Sequence, residues 1–143
     1  MASKSKTALV KIVTIVISAA IGYFVVNALL QTDSASFDAT LMQAADEINK
    51  VCPIMVDQYT RLDNTIALPG KIFQYNYTLV TLTSADVQPD SLSSALRESI
   101  VNDVKTNPDM QAMRDNDVTV AYKYNDMNGI FLTKIVVKPE DYK

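Results

Sequence analysis

The residues best placed to do chemistry are Asp57, Arg61 and Asp63, three charged groups within one short stretch. A guanidinium this close to two carboxylates can bridge one of them as a bidentate pair. Two carboxylates facing each other across a cleft, about 5–9 Å apart, would be the acid and base of a glycoside hydrolase. Nothing around these residues predicts a cleft. The polar site therefore competes with a plainer role, an ion pair that fixes the chain's entry into a strand. The chain contains no histidine. That removes the Ser-His-Asp and Cys-His arrangements and the usual zinc sites. Asp115-Asn116-Asp117 and Asn125-Asp126 are oxygen-rich. They lack the ligand spacing, Gly turn and late Glu of a calcium loop. No catalytic residue, metal, cofactor or small-molecule ligand is predicted.

A second candidate is aromatic. Phe73, Tyr75 and Tyr77 recur at period two, alternating with Gln74, Asn76 and Thr78. In a strand they share one face. Such a face either binds a partner or is turned into the core. Cys52 is the only cysteine, so no intramolecular disulfide can form. It follows an apolar periodic run, where a free thiol acts as a small hydrophobe.

The elements that must position these groups follow from periodicity. Phe37, Leu41, Ala44 or Ala45, Ile48 and Val51 recur at helical spacing. This predicts a helix from about Phe37 to Val51, stopped by Pro53. From Thr60 the period becomes two. Leu62, Asn64, Ile66 and Leu68 alternate with Arg61, Asp63, Thr65 and Ala67. Pro69-Gly70 is turn chemistry, and Ile72 to Leu82 returns as a second strand. Asp90 or Ser91 opens a second helix, with Leu92, Leu96, Ile100 and Val104 every four residues, ending near Asn107-Pro108. Val118 to Tyr124 and Ile130 to Lys138 form a second hairpin around Asn125-Asp126-Met127-Asn128-Gly129. Each hairpin carries a Tyr-x-Tyr: Tyr75-Asn76-Tyr77 and Tyr122-Lys123-Tyr124. The expected fold is α+β, a helix-hairpin-helix-hairpin domain with a four-stranded antiparallel sheet and two helices on one face.

The string Pro53-x3-Asp57-x2-Thr60-Arg61-Leu62-Asp63, followed by Phe73-Gln74-Tyr75-Asn76-Tyr77-Thr78-Leu79, resembles a pattern in small bacterial exported or membrane-anchored proteins of unknown function. The resemblance implies a bacterial origin and an extracytoplasmic domain. It implies no activity.

Upstream of this domain, Ile12–Leu30 carries no charged side chain. A helix of that length spans roughly 28 Å, close to the hydrocarbon thickness of a bilayer. It reads as a single transmembrane anchor. A cleaved signal peptide is the alternative, although its apolar region is usually shorter. Lys4, Lys6 and Lys11 precede the run. Positive charge stays inside, so the N-terminus is expected in the cytoplasm and the domain in the periplasm. The expected organisation is a basic tail over 1–11, the anchor over 12–30, a linker over 31–36 and one domain over 37–143.

All 16 acidic residues but only ten of the 13 basic ones follow the run, a net of −6 beyond it. Phosphate would be repelled by such a domain, which excludes nucleic acid as a partner. The reading is a single-pass envelope protein, attached to the membrane through Ile12–Leu30 and binding a protein partner, an envelope component or a second copy of itself. The alternatives are an envelope hydrolase using Asp57 and Asp63, and a secreted soluble factor if the apolar run is cleaved.

Overall fold

The computed structural model describes residues 37–143. The tail 1–11, the expected anchor Ile12–Leu30 and the linker 31–36 lie outside the described residues. Among the described residues, no helix is long and apolar enough to cross a membrane.

Helix α1, Phe37–Asn49, buries Thr40, Leu41, Ala44, Ala45 and Ile48. These positions form one stripe of an amphipathic helix. The first turn is tied down by Asp38, whose carboxylate accepts from the backbone N–H of Lys71 at 2.9 Å and of Gly70 at 3.3 Å. Helix α2, Pro89–Thr106, starts with proline in its first turn and buries Leu92, Leu96, Ile100 and Val104. A ring with fixed φ and no N–H is tolerated there because that N–H has no intrahelical acceptor. At the other end, Arg114 donates to the carbonyls of Val104 at 2.7 Å and Asn107 at 2.8 Å. It thereby satisfies acceptors that a helix terminus leaves open. A 3₁₀ turn over Pro108–Met110 and helix α3, Gln111–Asp115, follow. Helix α4, Pro139–Tyr142, closes the chain. It seats a buried Tyr142 whose hydroxyl donates to Val118 O at 2.9 Å.

The strands are β1 (Ile54–Met55), β2 (Thr60–Leu68), β3 (Ile72–Leu79), β4 (Thr119–Asn125) and β5 (Phe131–Val137). They lie side by side in chain order as one five-stranded sheet. The expected four-stranded antiparallel sheet is therefore wrong in number and in direction. β1 is two residues long, too short for any periodic signal, yet it pairs antiparallel with β2. β3 and β4 pair parallel, while β2–β3 and β4–β5 are antiparallel. The two hairpins read from sequence were each paired locally. How they join depends on the crossover containing α2, which is long enough to carry the chain back to the end where β3 began.

A second correction concerns the phase of β2. Alternation through Leu62, Asn64, Ile66 and Leu68 would put Ile66 on the same face as Leu62. The register instead shifts between Leu62 and Asn64. One extra residue in a strand reverses the facing of all that follow. Thr60 and Leu62 face the helices before the shift, and Thr65 faces them after it. Ile66 is left 41% exposed on the opposite face.

The parallel pairing has a consequence for the core. It sets Tyr75 opposite Tyr122 and Tyr77 opposite Tyr124. Their rings stack at 5.4 Å and 5.3 Å between centroids, both within 20° of parallel. Tyr75 and Tyr77 stack at 6.2 Å, and Phe73 meets Tyr75 edge-on at 5.1 Å. This aromatic block lies under α1 and α2 at the centre of the apolar core.

Candidate functional site

The two residue groups singled out from sequence have different fates. Phe73, Tyr75 and Tyr77 are buried in the block just described, at most 3% exposed. Their face is turned into the domain and presents no aromatic surface to a partner. Burial pushes the phenols of Tyr75, Tyr77, Tyr122 and Tyr124 above their ordinary range.

Asp57 sits in the turn between β1 and β2. One of its oxygens accepts from the backbone N–H of Tyr59 at 2.7 Å and of Thr60 at 2.8 Å. An aspartate that holds the amides two and three residues ahead builds the turn itself. Arg61 and Asp63 lie further on. Arg61 Nε donates to Asp63 at 2.6 Å, and the other oxygen of Asp63 accepts from Thr78 at 2.5 Å. Asp63 occupies the bulge of β2, where its carboxylate ties that strand to β3. Among the described residues, no hydrogen bond or ion pair joins Asp57 to Arg61 or Asp63. These contacts tie the β1–β2 turn and join β2 to β3. A half-exposed pair such as Arg61–Asp63 contributes about 1 kcal/mol or less.

The sheet face away from the helices carries a row of polar side chains. Asn64, Asn76, Lys123 and Lys134 follow one another across β2, β3, β4 and β5. Asn76 donates to Asn64 at 2.6 Å and accepts from Gln74 at 2.7 Å. No charged partner faces Lys123 or Lys134 among the described ion pairs.

Two further residues define the surface. Asn49, at the end of α1, uses its side-chain amide as a strand would use a peptide group. It donates to Thr65 O at 2.9 Å and accepts from Thr65 N at 2.7 Å and Thr65 Oγ1 at 3.2 Å. It thus closes part of the β2 edge that β1 is too short to reach. An open strand edge invites pairing with other chains, and covering it is a protective device. Asn49→Ala is expected to lower stability by about 1–2 kcal/mol, since two backbone groups lose their partner. Urea denaturation followed by far-UV circular dichroism checks this. Beside this edge lie exposed Val51, Ile54, Met55 and Ile66.

The second is Asp126, fully buried at the β4–β5 turn. Its carboxylate accepts from the backbone N–H groups of Asn128, Ile130 and Ser84, each at 2.8 Å. It holds the turn and the loop after β3 in one piece. Burial alone would push this carboxyl up; the three amides outweigh that and hold it below its usual range. The turn it organises displays Met127, Ile130 and Phe131 to solvent.

The sequence carried a signal for Asp126, because an Asn-Asp-x-Asn-Gly run is turn chemistry. It carried none for Asn49, whose partner lies sixteen residues on in another element.

Three solved structures share this architecture. A protein predicted to be secreted, from Pseudomonas aeruginosa, matches with a TM-score of 0.57 at 9% identity, over 78% of this chain and all of that one. The type II secretion system pilotin AspS from Vibrio cholerae matches with a TM-score of 0.55 at 12% identity, over 73% of this chain and 90% of that one. The type 2 secretion system pilotin EpsS from Vibrio vulnificus matches with a TM-score of 0.59 at 11% identity, over 74% of this chain and 91% of that one. At these identities the likeness is one of fold. No curated protein sequence matches the chain. A family profile does, over residues 36–130, and by it the chain belongs to DUF8479, a domain of unknown function.

Proposed function

We propose that this chain is a non-enzymatic envelope module that binds a protein partner, docking it along the edge formed by β1 and β2. The observation that carries the reading is the composition of that edge. Val51, Ile54, Met55 and Ile66 are exposed apolar side chains beside a strand of only two residues. An extended partner segment laid along β1, clear of the stretch of β2 that Asn49 closes, gains main-chain hydrogen bonds and apolar contacts together. The fold shared with two pilotins of type II secretion systems supports a role in serving a protein partner at the envelope. The carboxylates of Asp57 and Asp63, committed to turn and strand pairing, weigh against the hydrolase reading.

The sequence supports attachment to the outer side of the cytoplasmic membrane through Ile12–Leu30. Helix α1 begins at the β2–β3 turn, where Asp38 holds Lys71. The β4–β5 turn, with Met127 bonded to Leu82 O, lies at the opposite end of the sheet. An anchor would join the domain at the first of these ends.

A photo-crosslinking residue at Met55 or Ile66, compared with one at Glu98 on α2, tests the docking edge in the native host. One discrete adduct at both edge positions and none at Glu98 is the expected pattern. The same adducts at all three positions, or none at the edge, would sink the reading. The intact mass of the mature chain tests the anchor. A retained N-terminus means attachment, and a start near Phe37 means a secreted factor.

A further inference from the structure

The core contains more polar groups than its hydrogen bonds account for. The hydroxyls of Tyr75, Tyr77 and Tyr122 are buried and find no partner among the described residues. An unsatisfied buried polar atom costs about 1–3 kcal/mol, so three in one small core call for an explanation.

Their positions supply one. The near-parallel stacking of Tyr75 with Tyr77 and Tyr122 makes the three phenols leave the sheet together, toward the helix layer. Hydroxyls can both donate and accept. Such a set is complementary to water, which makes about three bonds to otherwise unsatisfied groups when buried.

We propose that the buried hydroxyls of Tyr75, Tyr77 and Tyr122 enclose an internal water site between the sheet and the helix layer. Water bridging these groups makes the tyrosine block a hydrated seam. Its hydroxyls serve stability, although no protein atom among the described residues bonds them.

Tyrosine-to-phenylalanine variants test this, because they remove the hydroxyl and keep the ring. Tyr75→Phe, Tyr77→Phe and Tyr122→Phe are each made in the full chain and unfolded in urea. If water bridges the hydroxyls, each variant lowers the folding equilibrium constant, by about five-fold. If the hydroxyls are dry, their removal relieves an unsatisfied group. The constants then stay unchanged or rise, which overturns the proposal. A high-resolution crystal structure of the chain gives a second readout. Density within hydrogen-bond distance of at least two of the three hydroxyls is expected, and its absence overturns the proposal independently of the variants.

Discussion

Tyr75→Ala is expected to lower the free energy of unfolding by about 3–5 kcal/mol. Tyr75 is fully buried on the central strand β3 and meets three other aromatic rings. Truncation removes the transfer free energy of the ring and leaves a cavity that the stacked neighbours cannot fill without leaving their rotamers. For a domain whose whole stability is about 5–15 kcal/mol, the loss is a large share. Urea denaturation monitored by circular dichroism and by tyrosine fluorescence measures it. A double-mutant cycle with Tyr122→Ala isolates the stacked pair, with a coupling of about 0.5–1.5 kcal/mol expected. Unchanged stability on Tyr75→Ala would instead show that the stacked aromatic block does not hold the core together.

Asp126→Asn is expected to lower the melting temperature at neutral pH on the order of 10 °C. The amide keeps the shape of the carboxylate but loses its charge. It also turns an NH₂ group toward one of the backbone amides that now donate to Asp126. The pH dependence separates this from a packing defect. The carboxyl of Asp126 is held below its usual range in the folded protein. Its contribution is therefore fully present above the unfolded value of about 3.9. It is lost as pH falls through the lower folded value. The difference in melting temperature between the two proteins should be constant from neutral pH down to about 5 and shrink below about 4. A difference that persists undiminished into acid would show that Asp126 acts through shape alone. Because the same carboxylate positions the turn bearing Met127, Ile130 and Phe131, the variant should also raise amide exchange there and in the loop after β3.

The identity of most elements was legible in the sequence. The α2 stripe of Leu92, Leu96, Ile100 and Val104 was readable as a helix, and all four residues are buried. The alternation of Phe73, Tyr75, Tyr77 and Leu79 was readable as one strand face, and that face is the core. These are local properties, set by how a side chain's direction repeats along a helix or strand. The candidate site was less legible. Asp57, Arg61 and Asp63 are near in sequence, but a turn and a bulge send them to separate tasks. The apolar edge became visible only once the bulge at Asp63 had turned Ile66 outward and β1 had settled beside β2.

By itself, the sequence determined the type and approximate limits of the main helices and hairpins, the acidic balance of the chain and its lack of histidine chemistry. Only the tertiary structure decided that the hairpins meet through a parallel pair and that Asn49 closes the edge of β2. The same holds for the two Tyr-x-Tyr motifs, which stack in register with three hydroxyls that no group among the described residues satisfies. The physical reason is common to all of these. Periodicity records which way a side chain points relative to its own backbone. Strand order, register and long-range hydrogen bonds depend on which segments come together, and no spacing along one strand encodes that.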